Sequence, residues 1–134
     1  DGLQIRRSAL SASLVVGVAW ALWHVPLFFI EGTWQAEQVG LGTQRFWFYL
    51  ITIVVEAVLY TWIYNNTSRS TLSAILFHFV GNAFGEMFVL SEQAEVYNFV
   101  IGIVAVIAVV VIWGPKTLSR VNKGTGSVSR GGPV

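Results

Sequence analysis

Long apolar segments alternate with short polar ones along the chain. Four of the apolar segments are long enough to cross a hydrocarbon core, which takes about 20 helical residues. They cover residues 9–30, 46–64, 71–90 and 96–113. Many of their side chains are β-branched, but within lipid every backbone polar group must be hydrogen-bonded inside its own segment. The pattern therefore predicts an all-α, polytopic membrane protein with a bundle of four transmembrane helices.

Composition supports this prediction and excludes several kinds of partner. Charged residues make up 11% of the 134 residues and hydrophobic residues 54%, whereas soluble domains carry about 25% charged residues. The net charge is +1, and the charges are sorted by position without forming a basic face, so we expect no nucleic-acid partner. The absence of cysteine excludes disulfides, thiolate catalysis and cysteine-ligated zinc.

The basic residues indicate the orientation in the membrane. If the four helices cross the membrane one after another, seven of the eight basic residues fall on the same side. They are Arg6, Arg7, Arg69, Lys116, Arg120, Lys123 and Arg130. Arg45 lies on the other side. By the positive-inside rule both termini are predicted to be cytoplasmic in a multi-pass protein of the cell membrane. Residues 114–134, rich in Gly and Ser and without an apolar period, are predicted to form a disordered cytoplasmic tail. Because the chain does not begin with Met, we expect a fragment or a processed product.

Five strongly polar side chains fall inside the predicted spans: His24, Glu56, His78, Asn82 and Glu86. Such groups are costly in lipid and normally face the interior of a helix bundle, where they find partners. At 1.5 Å per residue, His24 lies about 22 Å along the first helix, and His78 and Asn82 lie about 11 Å and 17 Å along the third. The two imidazoles and the amide are therefore predicted to converge if the helices tilt.

Helical spacing places these residues on three polar stripes. The stripes comprise Ser13, Gly17, Trp20 and His24 on the first helix, Thr52, Glu56 and Tyr60 on the second, and His78, Asn82 and Glu86 on the third. A GxxxG pattern from Gly81 to Gly85 is predicted to admit a second helix closely, and Pro26 is predicted to kink the first helix and free the carbonyl of Leu22. Singly, each polar residue has a structural explanation, and we give that explanation for Glu56 and Glu86. Only the combination indicates function.

Two of these segments resemble a known family. WALWHVPLFF at residues 20–29, followed one helix later by HFVGN at 78–82, resembles the CPBP family of CAAX-protease and bacteriocin-processing (Abi) intramembrane proteases. The family carries EExxxR, FxxxH and HxxxN motifs in that order. The second motif is present with Trp20 in place of Phe, the third is intact, and the resemblance covers residues 1–113.

The resemblance implies peptide-bond hydrolysis within the membrane, with His24, His78 and Asn82 as catalytic residues. A glutamate of the first motif would activate water, His24 would orient it, and His78 and Asn82 would donate hydrogen bonds to the oxyanion. That first motif is not in this chain, and neither Glu56 nor Glu86 matches its position, so the chain alone is expected to be inactive. The implied partners are the lipid bilayer and a membrane-embedded or lipid-anchored peptide or protein substrate.

Alternatives remain open at this point. The family's name "metalloprotease" presumes zinc, for which His24 and His78 would be ligands beside a carboxylate and water; because an amide is a poor zinc ligand, we prefer a metal-independent reaction with no cofactor. A non-enzymatic protein of the same fold, acting in bacteriocin immunity or as a partner scaffold, is the second hypothesis. A proton- or ion-coupled transporter using the glutamates and histidines is the third, and only Pro26 suggests the interrupted helix that it needs.

Overall fold

The structure, a computed structural model, describes residues 2–87 and 91–120, without the side chains of residues 84–86 and 92. All the regular structure in these residues is helical. The helices are α1 (Gly2–Arg6), α2 (Ala9–His24), α3 (Gln44–Asn66), α4 (Thr71–Met87) and α5 (Glu92–Trp113). A 3-10 turn at Val25–Phe29 and a π turn at Gln35–Val39 lie in the connection between α2 and α3. The prediction of an all-α polytopic membrane bundle is confirmed.

Polar caps fix where the long helices begin. The hydroxyl oxygens of Ser8, Thr43 and Ser91 each accept a hydrogen bond from the backbone N–H three residues later, at 3.1, 3.1 and 3.3 Å. Such caps satisfy one of the donors that a helix start leaves unpaired. They place the starts of α2, α3 and α5 at or a few residues before the starts predicted from the apolar segments.

Three helical segments are long and apolar enough to cross a membrane: Ala9–Phe29, Gln44–Asn66 and Gln93–Trp113. Within the described residues α4 supplies a shorter apolar segment, Thr71–Ala83; the end predicted for that span, residues 88–90, lies outside them. A smaller share of α5 is buried than of α2 or α3.

Helix α3 is the centre of the bundle, because α2, α4 and α5 all pack against it. The backbones of α2 and α3 approach closely at Gly17 of α2, which is buried. A Cβ added there would lie 2.9 Å from Val54 Cα and 3.0 Å from Ala57 Cβ. Small residues at a crossing allow two backbones to approach in a membrane, where van der Waals packing drives helix association. This contact determines the position along the helix axes at which the polar stripes of α2 and α3 meet.

The segment after α5 corrects the predicted tail. Leu118 is 0% exposed, and the carbonyl oxygens of Pro115 and Lys116 accept hydrogen bonds from the first backbone N–H groups of α2 at 3.1 and 2.8 Å. The Asn66 amide donates to the Leu118 carbonyl at 2.7 Å. Residues 114–120 are therefore packed and not disordered, because their carbonyls accept from backbone N–H groups that the start of α2 leaves open and from a side-chain amide at the end of α3. The rest of the predicted tail, residues 121–134, lies outside the described residues.

At the opposite end of the bundle, an ion pair joins the starts of α3 and α5. Arg45 forms two hydrogen bonds with the Glu95 carboxylate, one of them from Nε at 2.9 Å, and it also donates to the Gln38 carbonyl at 2.8 Å. The one basic residue predicted on this side thus pairs with a glutamate at the start of α5.

Candidate functional site

His24 ends α2 with one ring nitrogen already engaged. Its Nδ1 lies 2.8 Å from the Trp20 carbonyl oxygen. Because a carbonyl only accepts, Nδ1 carries a proton, and in the neutral ring Nε2 carries the lone pair. Pro26 follows at the start of the 3-10 turn, where the Val25 N–H donates to the Leu22 carbonyl. That carbonyl is consequently satisfied and not freed as predicted, and the tighter turn ends α2 directly after the histidine.

Trp20 brings the two histidines into one cluster. Its ring centroid lies 5.7 Å from that of His24 and 5.3 Å from that of His78, both in edge-to-face geometry. The two imidazole centroids are therefore no more than about 11 Å apart. Both imidazoles and the indole are half-buried. An aromatic side chain one turn before His24 thus spans the gap between α2 and α4.

His78 is hydrogen-bonded at both ring nitrogens. Its Nδ1 lies 3.1 Å from the Tyr60 hydroxyl on α3, and its Nε2 lies 3.1 Å from Nδ2 of Asn82. An amide nitrogen only donates, so Nε2 accepts and Nδ1 carries the proton of the neutral ring. Asn82 itself is exposed and borders an open groove with Phe79, Ala83 and Met87. The second amide hydrogen of Asn82 is not used in the bond to His78, and it belongs to a side chain that is exposed at the groove.

The connection between α2 and α3 covers His24 with aromatic side chains. The Tyr49 ring lies 5.9 Å from His24 and 5.7 Å from Phe28. Trp34 lies 5.9 Å from the same tyrosine, and the Gln35 amide donates to its hydroxyl at 3.2 Å. Burial of Phe28 against Phe46 and Val39 holds this connection in place. The His24 side of the cluster is therefore walled by rings, whereas the Asn82 side is open.

Comparison with known proteins identifies the arrangement. The model of a family described as "Type II CAAX prenyl endopeptidase Rce1-like" matches residues 2–84, a segment that contains both histidines and Asn82. The chain belongs to the Rce1-like family. A relative named "CAAX prenyl protease 2", from Methanococcus maripaludis, is 29% identical over 121 residues. The match covers 88% of this chain and 43% of the relative, so the chain spans less than half of that protein's length. No solved structure gives a significant match.

The Rce1-like chain brings together most of the residues singled out from its sequence. Trp20, His24, Tyr60, His78 and Asn82 form one connected cluster through the contacts given above. The GxxxG prediction fails at Gly81, where a Cβ would meet nothing within 4 Å. The close helix approach is made at Gly17 instead, between α2 and α3. The side chain of Glu86 lies outside the described residues.

Two groups of residues in the Rce1-like site were missed by sequence reasoning. Tyr49 contacts His24, yet it was not placed on the polar stripe of α3. It lies seven residues before Glu56, two turns along the same face, so helical spacing could have found it. Trp34 and Gln35 come from a connection without apolar period, and no sequence signal places them against Tyr49.

His24 and His78 are the histidines that could bind zinc in the described residues. A catalytic zinc takes three protein ligands with free lone pairs. His78 has none to offer, because Tyr60 and Asn82 occupy both its nitrogens. His24 offers one. Within residues 2–87 and 91–120, no group of three His, Cys, Asp or Glu side chains is placed to hold a metal ion.

Proposed function

We propose that this chain forms part of an intramembrane endopeptidase that hydrolyses a peptide bond of a lipid-anchored or membrane-embedded substrate. One observation carries the proposal: His24, His78 and Asn82 are brought into one cluster around Trp20 in a chain of the Rce1-like family. The relative's name, CAAX prenyl protease 2, supports a prenylated substrate. We place the cluster within the membrane and both termini in the cytoplasm.

His24 is proposed to orient the attacking water. With Nδ1–H donated to the Trp20 carbonyl, its Nε2 lone pair can accept a hydrogen bond from water and hold one lone pair of the water oxygen toward the substrate. The general base is proposed to be a glutamate of the family's EExxxR motif, which is not among these 134 residues. The chain alone is therefore proposed to be inactive.

Asn82 and His78 are proposed to stabilise the oxyanion. Asn82 gives one amide hydrogen to His78 Nε2, which fixes the amide plane and leaves the second hydrogen for the substrate oxygen. Preorganised donors of this kind act on charge that develops only in the transition state. His78 contributes through Asn82 in this arrangement, since its Nε2 accepts the amide hydrogen and has no proton of its own for the oxyanion.

The reaction is proposed to need no metal. The support is the donor set, because both nitrogens of His78 are occupied by protein partners and an amide is a weak ligand for zinc. The resemblance alone left zinc open. In the metal-independent reaction the two histidines act only through hydrogen bonds.

The test is a cleavage assay with the complete open reading frame that encodes this chain, reconstituted with a prenylated CAAX peptide. His24→Ala, His78→Ala and Asn82→Ala are each expected to lower kcat by about 10²-fold or more, the usual cost of losing an oxyanion donor or an acid–base group. Asn98→Ala is the matched control, because Asn98 is exposed on α5. Full activity is expected after exhaustive dialysis against a zinc chelator.

The same assay separates the alternatives. Unchanged cleavage in the three variants would contradict the assigned roles, and a chelator-dependent loss restored by zinc would contradict the metal-independent reaction. A non-enzymatic scaffold of the same fold would show no cleavage at all, with biological activity retained in the histidine variants. Circular dichroism of each variant checks that the helices remain folded.

A further inference from the structure

Tyr60 connects α3 to the ring of His78 and, one turn earlier on its own helix, to Glu56. Its hydroxyl oxygen lies 3.1 Å from His78 Nδ1 and 3.5 Å from Glu56 Oε2. With the Asn82 amide bonded to His78 Nε2, the bonds run in one direction. Asn82 donates to His78, His78 donates to Tyr60, and Tyr60 donates to Glu56.

The direction of these bonds depends on the last member. A phenolic hydroxyl can donate or accept, so Tyr60 alone would bond equally well with either tautomer of His78. An ionised carboxylate only accepts. If Glu56 accepts the hydrogen bond that the Tyr60 hydroxyl donates, the hydroxyl oxygen has only lone pairs left for His78. The ring must then carry its proton on Nδ1 and present the lone pair of Nε2 to Asn82.

We propose that Tyr60 and Glu56 are positioning residues that hold His78 in the Nδ1–H tautomer and thereby orient the Asn82 amide. The inference rests on the proposed function for its consequence in catalysis. Neither residue belongs to the family motifs on which the proposed function stands, and neither touches the substrate in it. The role accounts for a carboxylate retained within a membrane span, where such a group is costly.

Aromatic packing keeps the chain of bonds aligned. The Tyr60 ring contacts Trp20 at 5.5 Å and Phe77 at 5.5 Å between centroids, and the same indole contacts His78. The phenol is thus held by rings from α2 and α4 while its hydroxyl spans the two polar groups. Removing the hydroxyl alone would leave this packing in place.

Three substitutions separate the hydrogen bonds from the packing. Tyr60→Phe removes the hydroxyl and keeps the ring. Glu56→Leu removes the acceptor and favours membrane insertion, so failure to insert is not expected. Glu56→Gln keeps an acceptor oxygen for the Tyr60 proton and is the conservative rescue. Tyr97→Phe, at an exposed position on α5, is the matched control for loss of a phenol.

The experiment is ¹⁵N NMR of histidine-labelled protein in nanodiscs at a pH where the rings are neutral. The protein is the complete one used in the cleavage assay, and the signal that disappears in His78→Gln is assigned to His78. We expect a protonated Nδ1 and an unprotonated Nε2 for His78 in the parent, in Glu56→Gln and in Tyr97→Phe. Tyr60→Phe and Glu56→Leu are expected to give a mixture of tautomers. An unchanged His78 spectrum in these two variants would overturn the proposal.

Activity provides the second measurement. In the cleavage assay, Tyr60→Phe and Glu56→Leu are expected to lower kcat by about 10-fold or more at unchanged KM, as expected for groups that orient a catalytic residue, and Glu56→Gln to restore most of it. A tautomer shift in a protein that never cleaves peptide would contradict the proposed function and leave the positioning role intact. An active parent whose kcat is unchanged in both variants would contradict the positioning role alone.

Discussion

Trp20 shows how a single side chain can define the site. Edge-to-face contacts with His24 and His78, and a third contact with Tyr60, place its indole between three helices. Aromatic pairs at these separations contribute about 0.5–1.5 kcal/mol each beyond the area that they bury. Its carbonyl also accepts the His24 Nδ1–H. Side chain and backbone of one residue therefore fix the positions of both imidazoles.

A change of Trp20 should affect geometry before it affects folding. Trp20→Phe keeps an aromatic ring, the type found at this position of the family motif, and is expected to retain at least about a third of kcat. Trp20→Leu removes the edge-to-face contacts and is expected to lower kcat by about 10-fold or more, because small displacements of catalytic groups are costly. Trp23→Leu, with Trp23 80% exposed, is the matched control. Equal activity in Trp20→Leu and the control would contradict the positioning role of the indole.

At this scale the sequence predicted which residues lie close together better than how they bond. Polar groups are costly in lipid, so His24, His78 and Asn82 stand out by their positions inside apolar segments. The hydrogen bond between His78 and Tyr60 could not be predicted, because its two partners lie on different helices. The pairing of His78 with Tyr60 needed the relative rotation of α3 and α4, which no spacing within one helix contains.

At the scale of helices, the bundle depends on how closely α2 and α3 approach. Apolar length predicted both helices to within a few residues, since backbone bonding in lipid leaves few alternatives. The stripe containing Gly17 was also predicted. Which glycine lies at a crossing was not, because Gly17 and Gly81 share the same small side chain and differ only in what lies opposite.

Gly17 therefore offers a test of helix packing. In Gly17→Ala the new Cβ would lie 2.9 Å from Val54 Cα and 3.1 Å from the Val54 carbonyl oxygen. These are backbone atoms that cannot turn away, so α2 and α3 must separate. We expect a loss of about 1–3 kcal/mol in the free energy of unfolding, the usual cost of overpacking, measured by thermal or denaturant unfolding in detergent.

Gly102→Ala is the matched control for this loss. Its Cβ would meet only Val55 Cγ1, at 3.9 Å, and alanine favours a helix over glycine by about 1 kcal/mol. This variant is expected to be as stable as the parent or more stable. A Gly17→Ala protein that unfolds no earlier than Gly102→Ala would show that the crossing is looser than 2.9 Å implies.

At the scale of the whole molecule, the two ends of the bundle differ in charge and in what closes them. One end carries the Arg45–Glu95 pair and the aromatic connection over His24. At the other end, residues 114–120 bind the start of α2 and the end of α3, and Arg120 lies 5.4 Å from the Trp113 ring centroid. Hydropathy predicted where the helices end. The packed segment after α5 was missed, since it is held by hydrogen bonds to its backbone carbonyls and not by an apolar period.

Orientation in the bilayer is the last prediction, and it follows from this difference. Arg6, Arg7 and Arg69 join the basic residues after α5 on one predicted side of the membrane, and such an excess marks the cytoplasmic side. The chain contains no cysteine, so labelling of a cysteine introduced into it is measured against the parent protein. In intact cells a membrane-impermeant maleimide is expected to label Glu37→Cys, in the connection after α2, and to leave Ser68→Cys, between α3 and α4, unlabelled until the cells are opened. Both positions are exposed, so reactivity depends on the side of the membrane and not on burial.

The reverse labelling would place the charged end outside, and it would move the open groove beside Asn82 toward the cytoplasmic end of α4. In the orientation proposed here, a substrate anchored in the cytoplasmic leaflet must instead bring its peptide bond along α4 to reach that groove.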